Sequence, residues 1–155
     1  MCGITGIYSH ERRPLDSYIY PYLKKSSLEL ASRGPDGEGL WVDENNKIGF
    51  AHRRLSIIDT REVSNQPMID PENGNCIVFN GEIYNFKEIR KYLIDQGYNF
   101  KTYSDTEVIL KLYAKDGPSF VSKLRGMYAF AIWDNNSKKL LLFRDPLGIK
   151  PLYFY

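Results

Sequence analysis

Met127-Tyr128-Ala129-Phe130-Ala131-Ile132-Trp133, then Asn135-Asn136, then Leu140-Leu141-Leu142-Phe143-Arg144: this stretch decides the fold. Phe130–Trp133 and Leu140–Phe143 are short, continuously apolar runs, and they read as strands. Strands covered on both faces have that composition, whereas half-exposed strands alternate. The polar pair between them is a hairpin-like connection, so the sheet is expected to be antiparallel and buried.

Working outward, Cys76-Ile77-Val78-Phe79 is a further apolar strand that runs into Asn80-Gly81, a strong tight-turn dipeptide. Phe86 to Gln96 has helical periodicity, with Ile89 and Leu93 inward and Gly97 just past its end. Tyr98 to Tyr103 reads as a strand. Ser104 or Asp105 then caps a helix through Val108, Ile109, Leu112 and Tyr113, closed by Gly117, and Pro118 opens a short helical turn to Leu124. Beyond the Pro146-Leu147-Gly148 turn, Pro151–Tyr155 reads as a last strand.

Toward the N-terminus, Gly3–Tyr8 alternates as a strand does, with glycines that suggest close backbone approach around Cys2. His10 to Asp16 is a polar loop. Asp16 or Ser17 is placed to cap a helix reaching about Ser32, with Ile19, Leu23, Leu30 and Ala31 on one face and Pro21 in the first turn. Arg33-Gly34-Pro35-Asp36-Gly37-Glu38-Gly39 breaks regular structure and specifies a turn path. Leu40–Val42 and Ile48–Ala51 are strands around the Asp43–Lys47 turn, Arg54–Asp59 continues extended, and Thr60–Gly74 is polar and turn-rich. About eight short strands and three or four grouped helices give an α+β chain, expected as a four-layer α/β/β/α sandwich of antiparallel sheets.

A chain of 155 residues suits one domain with a real core. A net charge of +2 leaves no electrostatic footprint for nucleic acid or for a membrane surface. No apolar run is long enough to span a bilayer, and no signal-peptide core follows Met1. Cys2 and Cys76 make neither a disulfide framework nor a metal-ligand set, which points to a reduced, cytoplasmic protein. Because the chain stops within what reads as a strand, the domain is expected to be cut short at its C-terminal end.

The chemistry centres on Cys2. Removal of Met1 would give this residue a free α-amine beside its own thiol, a base and a nucleophile together. Asn80-Gly81 offers an amide side chain and a backbone N–H as an oxyanion pair, although on the residues alone it reads as a hairpin turn. Arg54 suits either a fork to a substrate carboxylate or a surface ion pair, and Asp105 either a substrate ammonium or a helix cap.

The blocks Met1-Cys2-Gly3-Ile4, Arg33-Gly34-Pro35-Asp36, His52–Asp59, Gln66-Pro67, Phe79–Asn85, Ser104–Ile109, Gly126–Ala131 and Arg144–Tyr153 occur in one order. In these the chain resembles the N-terminal class II glutamine amidotransferase domain of asparagine synthetases, over its whole length. Amidotransferase domains of hexosamine-phosphate and purine-precursor enzymes are similar at Cys-Gly-Ile and Asn-Gly. They differ where this chain reads Arg33-Gly34-Pro35-Asp36 and Arg54-Leu55-Ser56-Ile57.

The resemblance implies an N-terminal-nucleophile hydrolase fold and glutamine hydrolysis through a thioester on Cys2, with the α-amine acting as base through a water. It makes Asn80 and the Gly81 N–H the oxyanion hole. Arg54 becomes the carboxylate site, with Leu55, Ser56, Ile57 and Ile58 lining the pocket. Asp105 becomes the ammonium site, with Glu82 nearby. It implies no cofactor or metal for this domain. ATP and magnesium are expected only for a C-terminal synthetase domain, the intramolecular partner that would use the ammonia on aspartate, and a homodimer is compatible with the pattern. Relatives with another ammonia acceptor, a non-catalytic glutamine-binding module, and a Cys2–Cys76 thiol redox protein are the competing readings.

Overall fold

The computed structural model describes residues 1–9 and 18–155. The expected loop from His10 to Asp16 and the helix cap at Asp16 or Ser17 lie outside the described residues. Among the described residues, seven strands, three α-helices and three short 3-10 segments follow one another. The strands are β1 (Gly3–Tyr8), β2 (Gly37–Val42), β3 (Ile48–Arg54), β4 (Met68–Ile69), β5 (Cys76–Ile83), β6 (Gly126–Asp134) and β7 (Lys139–Arg144). The helices are α1 (Ile19–Glu29), α2 (Phe86–Asp95) and α3 (Asp105–Asp116).

Two antiparallel sheets form, ordered β1-β3-β2 and β4-β5-β6-β7. Their packing follows from strand alternation, which sends successive side chains to opposite faces. On β3, Gly49 and Ala51 face α1, and a Cβ on Gly49 would stand 2.7 Å from Leu23 Cδ1, so only glycine lets the helix lie this close. Ile48 and Phe50 face the second sheet, where they meet Cys76, Val78, Ala131 and Trp133. The alternate residues of β5 and β6, among them Ile77, Phe79, Phe130 and Ile132, face α2 and α3. The result is four layers, α1 on the three-stranded sheet and α2 with α3 on the four-stranded one, as the sequence led us to expect.

β6 is buried along almost its whole length, as its unbroken apolar run requires. β7 is not: as an edge strand it exposes alternate residues. Four local expectations are corrected. Tyr98–Tyr103 and Pro151–Tyr155 are not strands. Tyr98–Tyr103 is an irregular segment pinned by Glu107, whose carboxylate accepts from Lys101 N–H (2.9 Å), Thr102 N–H (2.7 Å) and the Thr102 hydroxyl (2.7 Å). Gly37–Gly39 is not a turn but the start of β2. Its glycine serves proximity, since a Cβ on Gly39 would stand 2.1 Å from the Gln66 carbonyl oxygen.

The fourth correction concerns Asn80-Gly81, which is no turn at all. Both residues lie inside β5, opposite Ala129 and Tyr128 of β6. Gly81 is demanded by crowding rather than by a left-handed backbone: an added Cβ would meet the Met127 carbonyl oxygen at 2.2 Å and Tyr128 Cα at 2.7 Å. The true connection out of β5 comes four residues later, through Tyr84 and Asn85.

Candidate active site

The rows of side chains between the two sheets change character along their length. On β3 the row runs Ile48, Phe50, His52, Arg54, and on β5 it runs Cys76, Val78, Asn80, Glu82. The apolar ends form the intersheet core. The polar ends open into a cleft lined by Cys2, Arg54, Asn80, Gly81, Glu82 and Asp105, with Leu55, Ile57 and Ile58 on one side. The sheets thus converge a thiol, an amide, a cation and carboxylates from four separate stretches of chain. Of the residues expected in the site, Ser56 alone stays outside the lining; its N–H donates instead to Asp36 (2.8 Å).

Cys2 continues the β1 register, so its side chain falls on the same face as Ile4, between the sheets. The Leu55 N–H donates to its sulfur at 3.4 Å, and the thiol in turn donates to the Leu55 carbonyl at 3.7 Å. The Arg33-Gly34-Pro35-Asp36 loop braces this corner. Arg33 Nε donates to the Cys2 carbonyl (3.4 Å), and Asp36 N–H donates to the Arg54 carbonyl (2.9 Å). Gly34 presses so close that a Cβ would lie 2.3 Å from the Arg53 carbonyl. Cys76, by contrast, is sealed in the intersheet core, and burial pushes its thiol well above the ordinary value.

Arg54 is 6% exposed. Its guanidinium donates to the Arg61 carbonyl (3.0 Å), the Asn65 side-chain oxygen (2.8 Å), the Ile58 carbonyl (3.4 Å) and the Asp59 carbonyl. All four acceptors are uncharged, and no carboxylate among the described residues pairs with it. It is a buried cation held in a fixed orientation without a counter-charge.

Asp105 is its converse. It begins α3, but Ser104 is the cap, with its hydroxyl accepting the Glu107 N–H at 3.3 Å. Freed from capping, the Asp105 carboxylate accepts from Ile83 N–H (3.0 Å) and pairs with no cation among the described residues. Burial, with the nearby Glu82 charge adding to it, raises its pKa to about 6 against the pull of its backbone donors.

Asn80 is a buried residue that lines the cleft, and its carboxamide hydrogen-bonds to no described residue. His52 lies behind it. Since a carbonyl can only accept, His52 Nε2–H donates to Phe79 O (3.2 Å), which leaves Nδ1 a buried lone pair with no partner among the described residues. Burial lowers its pKa to about 4, so the ring is neutral at neutral pH.

Several lining residues escaped sequence reasoning. Gln66 joins the site's floor: its side-chain oxygen accepts from Phe79 N–H (2.6 Å) and its amide donates to the Thr106 hydroxyl (3.2 Å). Its polar flanks and the Gln-Pro step were legible only as a turn. Lys150 reaches the cleft because Asp145 organises the turn before it, accepting from Ile149 N–H (2.9 Å) and Lys150 N–H (3.0 Å). Its ammonium lies 2.6 Å from the Met1 sulfur, so Met1 occupies the mouth beside Cys2.

Comparison with known proteins places this geometry in a family. Residues 1–155 match the glutamine amidotransferase domain. An asparagine synthetase [glutamine-hydrolyzing] 1 of Bacillus subtilis (strain 168) is 44% identical over 99% of this chain and 24% of its own length. An amidase chry2 of Gibberella zeae is 40% identical over 99% of this chain and 24% of its own. The chain therefore spans about a quarter of the length of these curated relatives. Among solved structures, a glutamine phosphoribosylpyrophosphate amidotransferase from B. subtilis, complexed with ADP and GMP, covers 97% of this chain and 38% of its own. The TM-score is 0.71 at 22% identity, a likeness of fold. With the match running from Met1 to Tyr155, the chain belongs to the glutamine amidotransferase domain family.

Proposed function

We propose that this cleft hydrolyses L-glutamine to glutamate and ammonia. One observation carries the reading: a buried cation lacking an anion, Arg54, and a buried carboxylate lacking a cation, Asp105, flank one thiol. Such a pair fits the α-carboxylate and α-ammonium of a free amino acid and leaves its side chain to reach Cys2. Leu55, Ile57 and Ile58 cover the aliphatic part.

The chemistry then follows. Cys2 sulfur attacks the carboxamide carbon, and its proton passes to the Cys2 α-amine through a water. The new oxyanion is met by the Asn80 amide and the Gly81 N–H. Collapse returns the proton to the departing nitrogen, ammonia leaves, and a γ-glutamyl thioester remains on Cys2. Water adds to the thioester carbon and the sulfur leaves, giving glutamate. No step calls for a metal or cofactor in this domain. The reading requires Cys2 to be the first residue, since an amide nitrogen cannot serve as the base and Met1 stands in the entrance.

The released ammonia serves an acceptor site in a longer protein. Identity to glutamine-hydrolysing asparagine synthetases favours aspartate, activated by ATP and magnesium in a C-terminal synthetase domain. A second acceptor class is favoured by the amidase relative at 40% identity. Reduced thiol chemistry suits the cytoplasm.

The test is a glutaminase assay on protein shown by intact mass to lack Met1. Glutamate should form, Cys2→Ala should abolish it, and Cys76→Ala should leave it nearly intact. A glutamine-like electrophile should add to Cys2. Addition at Cys76, or full activity with Met1 retained, would overturn the mechanism.

A further inference from the structure

Asp59 lies outside the reacting groups, yet it contacts two walls of the cleft. It sits in the Leu55–Asn65 connection, in left-handed backbone (φ 47°). Its side chain is 3% exposed. One carboxylate oxygen accepts from Arg61 Nε (2.6 Å). The other accepts from the second arm of the Arg61 fork (2.6 Å), the Ser64 hydroxyl (2.8 Å) and the Tyr103 N–H (2.6 Å). The Arg61 guanidinium also stands over the Tyr103 ring, 4.8 Å from its centre, and Arg90 stands 5.2 Å from the same ring.

These contacts join two distant parts of the chain. The Asp59 carbonyl, with those of Ile58 and Arg61, orients the Arg54 guanidinium. The Asp59 carboxylate grips Tyr103, one residue before the Ser104 cap and two before Asp105. One residue therefore ties the cation-bearing wall to the carboxylate-bearing wall. We infer that Asp59 is a positioning residue that fixes the separation of Arg54 and Asp105, and so sets the fit for an amino acid's two charged α-groups. This rests on the glutamine reading of the cleft. Asp59 touches neither the substrate nor Cys2, so its effect falls on binding rather than on bond-making. Charge-assisted contacts are the strong ones, and a fork held by two parallel bonds adds direction as well as energy.

Asp59→Asn is the informative change. Asparagine tolerates left-handed backbone, so the substitution alters charge and one acceptor without adding strain. Its amide nitrogen would face donors where the carboxylate accepted. In the active protein, KM for glutamine should rise about tenfold or more, while kcat per Cys2 labelled by a small thiol reagent stays within about twofold. In a Cys2→Ala background, calorimetric glutamine affinity should fall by the same factor. Arg61→Gln, at a half-exposed side chain that folding tolerates, should shift KM in the same direction by less. A merely structural role would lower the melting temperature and the labelled fraction and leave KM alone, and that result would overturn the inference. So would an unchanged KM with unchanged stability. Glutamine binding absent from the Cys2→Ala parent itself would instead sink the glutamine reading, since that measurement involves no change at Asp59.

Discussion

Arg54 and Asp105 are each buried without an opposite charge, and each is costly to the empty fold for that reason. The cost explains the properties expected of the site. Asp105 has a pKa of about 6, so it is protonated in the empty cleft below that value, and an ammonium must expel the proton to bind. KM for glutamine should therefore rise as pH falls below 6, by up to tenfold per unit. A flat KM between pH 5 and 7 would remove Asp105 from ammonium binding. Arg54→Lys keeps the charge but loses the planar fork that four oxygens hold, so KM should rise substantially despite the nominal conservation. The Asn80 amide has no partner among the described residues, and it is the group whose loss should be felt in the transition state. Asn80→Ala should lower kcat by about 100- to 1000-fold with a smaller change in KM, read from steady-state kinetics. An alanine variant with unaltered kcat would reduce Asn80 to a strand residue.

Strand β5 carries that amide and also carries the clearest lesson about reading. Gly81→Ala puts a Cβ 2.2 Å from the Met127 carbonyl, where only backbone can yield. It should destabilise the chain by about 1–3 kcal/mol or more, seen as a lower urea midpoint, and should reduce kcat because the Asn80–Gly81 pair moves. The dipeptide misleads because its usual meaning, left-handed backbone in a turn, is a local one. Here glycine answers a neighbour on β6 that local sequence does not reveal. The same limit hid the irregular path of Tyr98–Tyr103, which aromatic and apolar content marked as a strand. Its backbone N–H groups go to Leu93 O, Glu107 and Asp59 instead of a ladder. What was legible was whatever depends on periodicity alone: β6, the inward Leu93 of α2, the Leu23 face of α1 and the layer order. Cys2, Arg54, Asn80 and Asp105 were legible as chemical types. Their convergence came from motif resemblance, because four segments far apart in sequence meet only once two sheets are stacked. Asp59, read as the end of an extended segment, and Gln66, read as part of a turn, stood in the motif blocks without any sign that they brace the site from the side.

At the scale of the whole molecule, the stacked sheets enclose His52 as well as the site, and the two buried groups His52 and Asp105 hold opposite accounts with the solvent. His52 has a folded pKa of about 4 against 6.5 unfolded, so it stays neutral in the fold while the unfolded chain takes up a proton. Stability from this group is full above pH 6.5 and drains away as pH falls toward 4. Asp105 runs the other way, from 3.8 unfolded to about 6 folded. Its contribution is full below 3.8 and is lost as pH rises through 6. Between pH 4 and 6 the unfolded chain carries one extra proton on His52 and the folded chain carries one on Asp105. The slope of stability with pH depends only on that difference, which is near zero. Asp105→Asn cancels one side of the balance. The variant should lose up to about 3 kcal/mol between pH 6.5 and 4, where the parent changes little, as urea midpoints across that range would read. A variant as level as the parent would refute it. Glutamine would act on the balance as the mutation does, since an ammonium on Asp105 displaces its proton. The domain is thus buffered against mild acid by the opposed titrations of His52 and Asp105, and binding an ammonium at Asp105 withdraws the buffer.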